Sequence, residues 1–274
     1  MTVRHRSELA TAGRIVVKVG SSSISGEAAW RIPVLVEALA AAHARGAEVL
    51  LVSSGAIATG MPFLDLESRP HDLATQQAAA AVGQNVLVYR YLEALRPFDI
   101  MAGQVLLTAH DMEDPTHRSN ARRAIERLLG LRILPIINEN DTVATHEIRF
   151  GDNDRLAALV ARLVGADALV LLSDITALYT RPPGEPGAEP IHVIEPDDDL
   201  SSYAFGSKVV NSVGTGGAAT KASAARLASS AGIGVLVTSA DQVADALAGA
   251  PVGTWFAPSD GGAVATGPLA RMGG

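Results

Sequence analysis

Arg14-Ile15-Val16-Val17-Lys18-Val19-Gly20 reads as a buried β-strand: four β-branched residues, one lysine and a terminating glycine. An apolar run without polar alternation belongs to a strand covered on both faces, as parallel sheets require. Residues 32–45 follow as a helix that ends at Gly46, a natural C-cap. EVLLVSSGA (48–56) is a second buried strand running into a turn of small residues. The pattern repeats downstream. Residues 72–95 read as a helix with Gly83 as a weak point. Strands are expected at 99–107, 132–138, 168–174 and 234–239, with helices at 119–130, 153–166, 220–232 and 241–249. RPPGEPGAEP (181–190) is a loop by composition, and residues 259–274 are expected to be poorly ordered. Strands alternating with helices imply an α/β fold with a largely parallel sheet.

Composition narrows the function. With 274 residues, 48% of them hydrophobic, the chain can bury a sizeable core as one large domain or two modest ones. No apolar run reaches bilayer length, and the N-terminus has no apolar h-region, so neither a membrane span nor a secretory signal is expected. Cysteine is absent, which excludes disulfides, thiolate catalysis and cysteine zinc sites. A net charge of −7 with 4% aromatics argues against nucleic acid as a partner.

Polar residues cluster after the strand ends: Gly20-Ser21-Ser22, Ser53-Ser54-Gly55, Asn138-Glu139-Asn140-Asp141 and Ser173-Asp174. That edge of an open α/β sheet is where ligands bind, so these clusters read as walls of one site. A second acidic group, Gly151-Asp152-Asn153-Asp154, opens a helix. Carboxylates and amides so close to buried segments suit a hard cation or an ammonium group, while turn chemistry is the plain alternative. Lys18 lies inside an apolar run, where lysine needs a partner unless it snorkels from an edge strand. Residues 213–221, VGTGGAATK, open a helix with glycines and a lysine, suited to phosphate; a flexible loop with a surface lysine is the alternative. They do not form a Walker A motif, although Gly214, Gly216 and Ala219 match the looser dinucleotide fingerprint. VSSGA is not a nucleophile elbow, and His71, His110 and His146 read as ordinary loop histidines.

Taken together, VVKVGSSS, VSSGAIATG, AAVGQ, GQVLLT, PIINENDTVAT, FGDNDRLAALVA, LLSD and VGTGGAATK resemble the glutamate 5-kinases of the amino acid kinase family over residues 14–256. The pairing of INEND with GDND is the most specific part. The resemblance implies an α/β/α sandwich around a mostly parallel sheet. It also implies ATP-dependent phosphorylation of the side-chain carboxylate of L-glutamate, at the start of proline synthesis. It implies an N-terminal tail (1–13), a kinase domain (14–258) and a C-terminal tail (259–274), without the PUA domain of many members. The amino acid site would lie mainly in 14–165 and the nucleotide site in 166–258.

Carried over by position, Lys18, Lys221, Asp154 and Gly55 become the catalytic set. Ser54, Asn138, Asp141 and Asn153 become the glutamate contacts. Lys18, Gly20, Ser173, Asp174, Thr215, Gly216, Gly217, Ala218, Ala219, Thr220 and Lys221 become the ATP contacts. Magnesium would ride mainly on the ATP phosphates, without a direct protein cage. The resemblance further implies a cytoplasmic homo-oligomer, coupling to glutamyl phosphate reductase, and inhibition by proline.

Four departures from the family pattern stand out, three beside the sites and one, at Arg118-Ser119, bearing on subunit contacts or regulation. These are Ala177 for glycine, Gln76 for lysine, Ala218 for methionine, and Arg118-Ser119 for an aromatic-aliphatic pair. Three alternatives are a related kinase acting on another carboxylate, carbamate or phosphate, a non-catalytic amino acid or nucleotide sensor, and a dinucleotide oxidoreductase.

Overall fold

β1 (Arg14–Val19) lies inside an eight-stranded sheet ordered β3-β4-β2-β1-β5-β7-β8-β6. The computed structural model describes residues 3–144, 152–203, 205 and 217–260. The other strands are β2 (Glu48–Val52), β3 (Ala102–Leu107), β4 (Leu134–Glu139), β5 (Ala168–Ser173), β6 (Val193–Ile194), β7 (Gly234–Ser239) and β8 (Thr254–Phe256). The helices are α1 (Arg31–Ala44), α2 (Ala56–Gly60), α3 (Leu73–Leu95), α4 (Ala109–Glu113), α5 (Pro115–Gly130), α6 (Asn153–Val164), α7 (Ala218–Ser229) and α8 (Val243–Leu247).

Alternation along β1 sorts the layers. Val16 joins a core cluster with Ile125 and Leu129 of α5, Leu156 and Ala157 of α6, and Ala222 and Ala225 of α7. Ile15, Val17 and Val19 face the opposite side, packing with Leu35 and Leu39 of α1, Leu87 and Tyr91 of α3, and Val243 of α8. The result is the expected α/β/α sandwich. Every pairing among β1, β2, β3, β4, β5 and β7 is parallel.

Several expectations change. The edge beyond β7 reverses: β8 runs antiparallel to β7, and two-residue β6 pairs with β8. Neither strand carries enough residues to show an alternation, so the sequence does not announce them. β3 and β4 begin later than expected because Asp99 and Arg132 take left-handed conformations, with φ of 55° and 59°. The segment before Arg14, expected as a tail, packs on the body: Arg6–Thr11 forms a 3-10 helix, and Val3, Leu9 and Ala12 are buried. Scattered apolar residues of this kind fill gaps without leaving a periodic signature. Residues 261–274 lie outside the described residues.

Gly83 is no weak point. α3 continues through it for 23 residues. The absent Cβ lets α3 and α2 meet backbone to backbone: a Cβ on Gly83 would overlap the Ala56 carbonyl, and one on Gly60 the Ala79 carbonyl. Helix propensity favours alanine over glycine, but here a rigid carbonyl occupies the space. Gly83→Ala is therefore expected to destabilise the fold by about 3 kcal/mol or more. A urea titration measures this, and an unchanged midpoint would contradict the close contact.

Candidate active site

Two residues beyond Val16, Lys18 faces the same side of the sheet, toward α6 and α7. Its Nζ lies 2.5 Å from Oδ1 of Asp154, and Lys221 Nζ donates to Oδ2 of the same carboxylate at 3.1 Å. Asp154 has no exposed surface, and both lysines are buried. Each side chain arrives from a regular element. Asp152 caps α6, its Oδ1 accepting the Asp154 N–H at 2.9 Å, which sets Asp154 in the first turn. Gly217 begins α7, and the Lys221 N–H donates to its carbonyl at 3.2 Å. Burial pushes the Asp154 carboxyl up, but the Lys18 and Lys221 ammoniums together outweigh burial and hold it below its ordinary value. One carboxylate thus balances two ammoniums, leaving one buried positive charge in excess.

The neighbouring residue links this trio to a polar wall. Asn153 Nδ2 lies 2.8 Å from the Ser53 carbonyl, 3.1 Å from Ser54 Oγ and 2.9 Å from Asn138 Oδ1. Asn138 Oδ1 also accepts the Glu139 N–H at 2.9 Å. Its other amide atom, Nδ2, is buried without a hydrogen-bond partner among the described residues. A buried N–H group left unpaired costs about 1–3 kcal/mol, so it marks a place for an acceptor such as a carboxylate.

Other expected residues stand around this centre. Asp141 is half-buried in the turn after β4. Gly20 follows β1, and a Cβ there would sit 3.8 Å from Lys18 Nζ. Gly55 has φ of 89°, and a Cβ would press on Ser21 at 3.2 Å, so this turn admits only glycine readily. Ser173 ends β5 beside β1 and donates to the exposed Asp174 at 2.9 Å. Gly217, Ala218, Ala219 and Thr220 form the start of α7, with Thr220 Oγ1 donating to the Gly217 carbonyl at 2.8 Å. Thr215, Gly216, Gly151 and His146 lie outside the described residues.

The departures have ordinary structural partners. Gln76 Nε2 donates to the Pro70 carbonyl at 2.8 Å, Ala177 is buried, and Arg118 reaches the Met112 carbonyl at 3.3 Å. Sequence reasoning missed the cap at Asp152 and the buried Tyr91, whose OH lies 2.9 Å from Ser53 Oγ. An aspartate just before a helix signals the cap, but nothing in the sequence ties Tyr91 to Ser53.

The amino acid kinase family model matches residues 13–239. A glutamate 5-kinase of Clavibacter sepedonicus is 69% identical over 258 residues, spanning 94% of this chain and 99% of that protein. One from Leifsonia xyli subsp. xyli is 66% identical over 268 residues, spanning 98% and 99%. Among solved structures, a carbamate kinase from Giardia lamblia bound to AMP-PNP shares the fold, with a TM-score of 0.65 at 17% identity. That match covers 91% of this chain and all of that one.

Removing the shared carboxylate leaves two buried ammoniums facing each other. Asp154→Asn is expected to lower stability by about 3–5 kcal/mol at neutral pH. Because the folded carboxyl titrates below its unfolded value of about 3.9, its contribution is present above that pH and lost as pH falls through the lower folded value. Urea titrations at pH 7 and near pH 3 should show the wild type losing more stability than the variant. Parallel losses would rule out this linkage.

Proposed function

The chain belongs to the amino acid kinase family and, within it, to the glutamate 5-kinases, and we propose how its residues carry out that reaction. It transfers the γ-phosphoryl group of ATP to the side-chain carboxylate of L-glutamate, giving L-glutamyl 5-phosphate for proline biosynthesis. The observation that carries the reading is the buried Lys18–Asp154–Lys221 trio, joined through Asn153 to an amide donor awaiting an acceptor.

A carboxylate oxygen of glutamate forms the new bond to the γ-phosphorus as the bond to the bridging oxygen of ADP breaks. The nucleophile has a solution pKa of about 4.3 and is already ionised, so no general base is needed. The barrier comes from bringing two anions together. Lys18 and Lys221 supply positive charge at the transferring group, and Asp154 holds both ammoniums in place. Asn138 and Ser54 offer donors to the glutamate carboxylates, Asp141 pairs with its ammonium, and Asn153 fixes the wall between them. Gly20 and Gly55 present backbone N–H groups to the phosphoryl oxygens. The start of α7, with residues 215–221, and Ser173-Asp174 hold the nucleotide, as N–H groups at a helix start suit phosphate.

Among the described residues, no group of three or more His, Asp or Glu side chains is placed to hold a metal ion, and Asp154 is already engaged by lysines. Magnesium is carried, in this reading, mainly by the ATP phosphates, where it neutralises oxygen charge. In this reading, residues 14–165 supply the amino acid site and 166–258 the nucleotide site. Exposed Tyr89, Leu92, Phe98 and Met101 support self-association. The hydrolytic lability of an acyl phosphate supports hand-over to glutamyl phosphate reductase. No described helix is long and apolar enough to cross a membrane, and a cytoplasmic setting would supply both substrates.

Magnesium-dependent ADP release, with the acyl phosphate trapped as hydroxamate, should require L-glutamate across a panel of amino acids. Turnover independent of glutamate would reject the reaction. Lys221→Ala should lower kcat by about 10²–10³-fold, and an unchanged kcat would remove Lys221 from phosphoryl transfer.

A further inference from the structure

Tyr91 is fully buried in α3, yet it carries a hydroxyl. A buried phenol needs a partner, and it finds Ser53 Oγ at 2.9 Å. Ser53 Oγ in turn donates to the Ser54 carbonyl at 3.3 Å. Each hydroxyl has one proton. Either hydroxyl can donate within the Tyr91–Ser53 pair.

This short relay ends at the polar wall. Ser53 presents its carbonyl to Asn153 Nδ2 at 2.8 Å, and Ser54 presents its hydroxyl to the same nitrogen at 3.1 Å. The two acceptors sit on consecutive residues, so a displacement of the 53–54 backbone moves both. Eight residues before Tyr91, the same helix meets the Ala56 carbonyl at Gly83 without room for a Cβ. α3 therefore holds the 53–56 turn at both ends: by a hydrogen bond at Ser53 and by backbone contact at Ala56.

We propose that Tyr91 is a positioning residue for the acceptor substrate, its hydroxyl acting through Ser53 to aim Ser54 and Asn153 at glutamate. The proposal rests on the reading of Ser54 and Asn153 as glutamate contacts. Tyr91 does not touch the reacting atoms, and its bond is to Ser53 rather than to Gly55, the phosphoryl-side residue of the same turn, so its influence falls chiefly on glutamate binding.

The test is steady-state kinetics on the full chain, varying glutamate and ATP separately, for Tyr91→Phe, Ser53→Ala, the double variant and Ser54→Ala. Phenylalanine keeps the ring in the core and removes only the hydroxyl. Losing one hydrogen bond's worth of positioning should raise the glutamate KM by about three- to ten-fold, with the ATP KM and kcat changed by less than about two-fold. The double variant should be no worse than the more impaired single variant, because both remove the same bond. A lowered melting temperature with an unchanged glutamate KM in Tyr91→Phe and Ser53→Ala would overturn the proposal and leave a purely structural bond. If Ser54→Ala raises the glutamate KM while those two variants do not, the positioning role alone fails. If Ser54→Ala also leaves it unchanged, the assignment of the glutamate contacts fails and the proposal falls with it.

Discussion

One buried carboxylate shared by two ammoniums sets the terms for much of this molecule. Charges without solvent access are tolerated only when paired at close range, so β1, α6 and α7 must converge within a few ångströms of Asp154. Central placement of β1 in a parallel sheet brings Lys18 there from below. The Asp152 cap fixes the first turn of α6, and the buried alanines of α7 allow Lys221 to approach. Such a trio is weak evidence for stability, since an apolar replacement of similar volume often serves as well. In the proposed mechanism, its value lies in holding two cations ready where negative charge must accumulate.

Asn153 makes the trio part of a larger device. As the residue before Asp154, it shares the same helical turn, and its single amide nitrogen faces oxygens from β4 and from two residues of the turn after β2. In the proposed reading, the amino acid wall and the phosphoryl centre are held by consecutive residues of one helix start. Backbone geometry sets their two Cα positions, and the hydrogen bonds and ion pairs hold the side chains. The α2–α3 backbone contact adds stiffness on the opposite face of the sheet.

Much of this was legible in the residues. The unbroken apolar run of β1, its lone lysine and the polar strand ends led to the sheet, its layers and the edge where the polar residues gather. Lys18, Asp154 and Lys221 do meet, and Asn138, Asn153 and Ser54 form one wall. What escaped depends on three-dimensional neighbours. Gly83 looks like a helix defect in one dimension and becomes a crossing point once the Ala56 carbonyl lies against it. β6 and β8 are too short for a period, and the strand shift at Arg132 depends on one left-handed residue. Tyr91 reads as ordinary core because its hydroxyl partner is 38 positions away.

The excess positive charge of the trio lies within a protein whose formal net charge is −7. Glutamate and nucleotide are anions, so under the proposed mechanism a net negative protein offers them a positive floor only at short range. Dissolved ions damp fields between exposed charges over about 8–10 Å, but they scarcely reach a desolvated pair. If the trio is that floor, raising the ionic strength should ease the approach of both substrates while leaving the final grip largely intact, the reverse of enzymes that draw anionic substrates in through a broad basic surface.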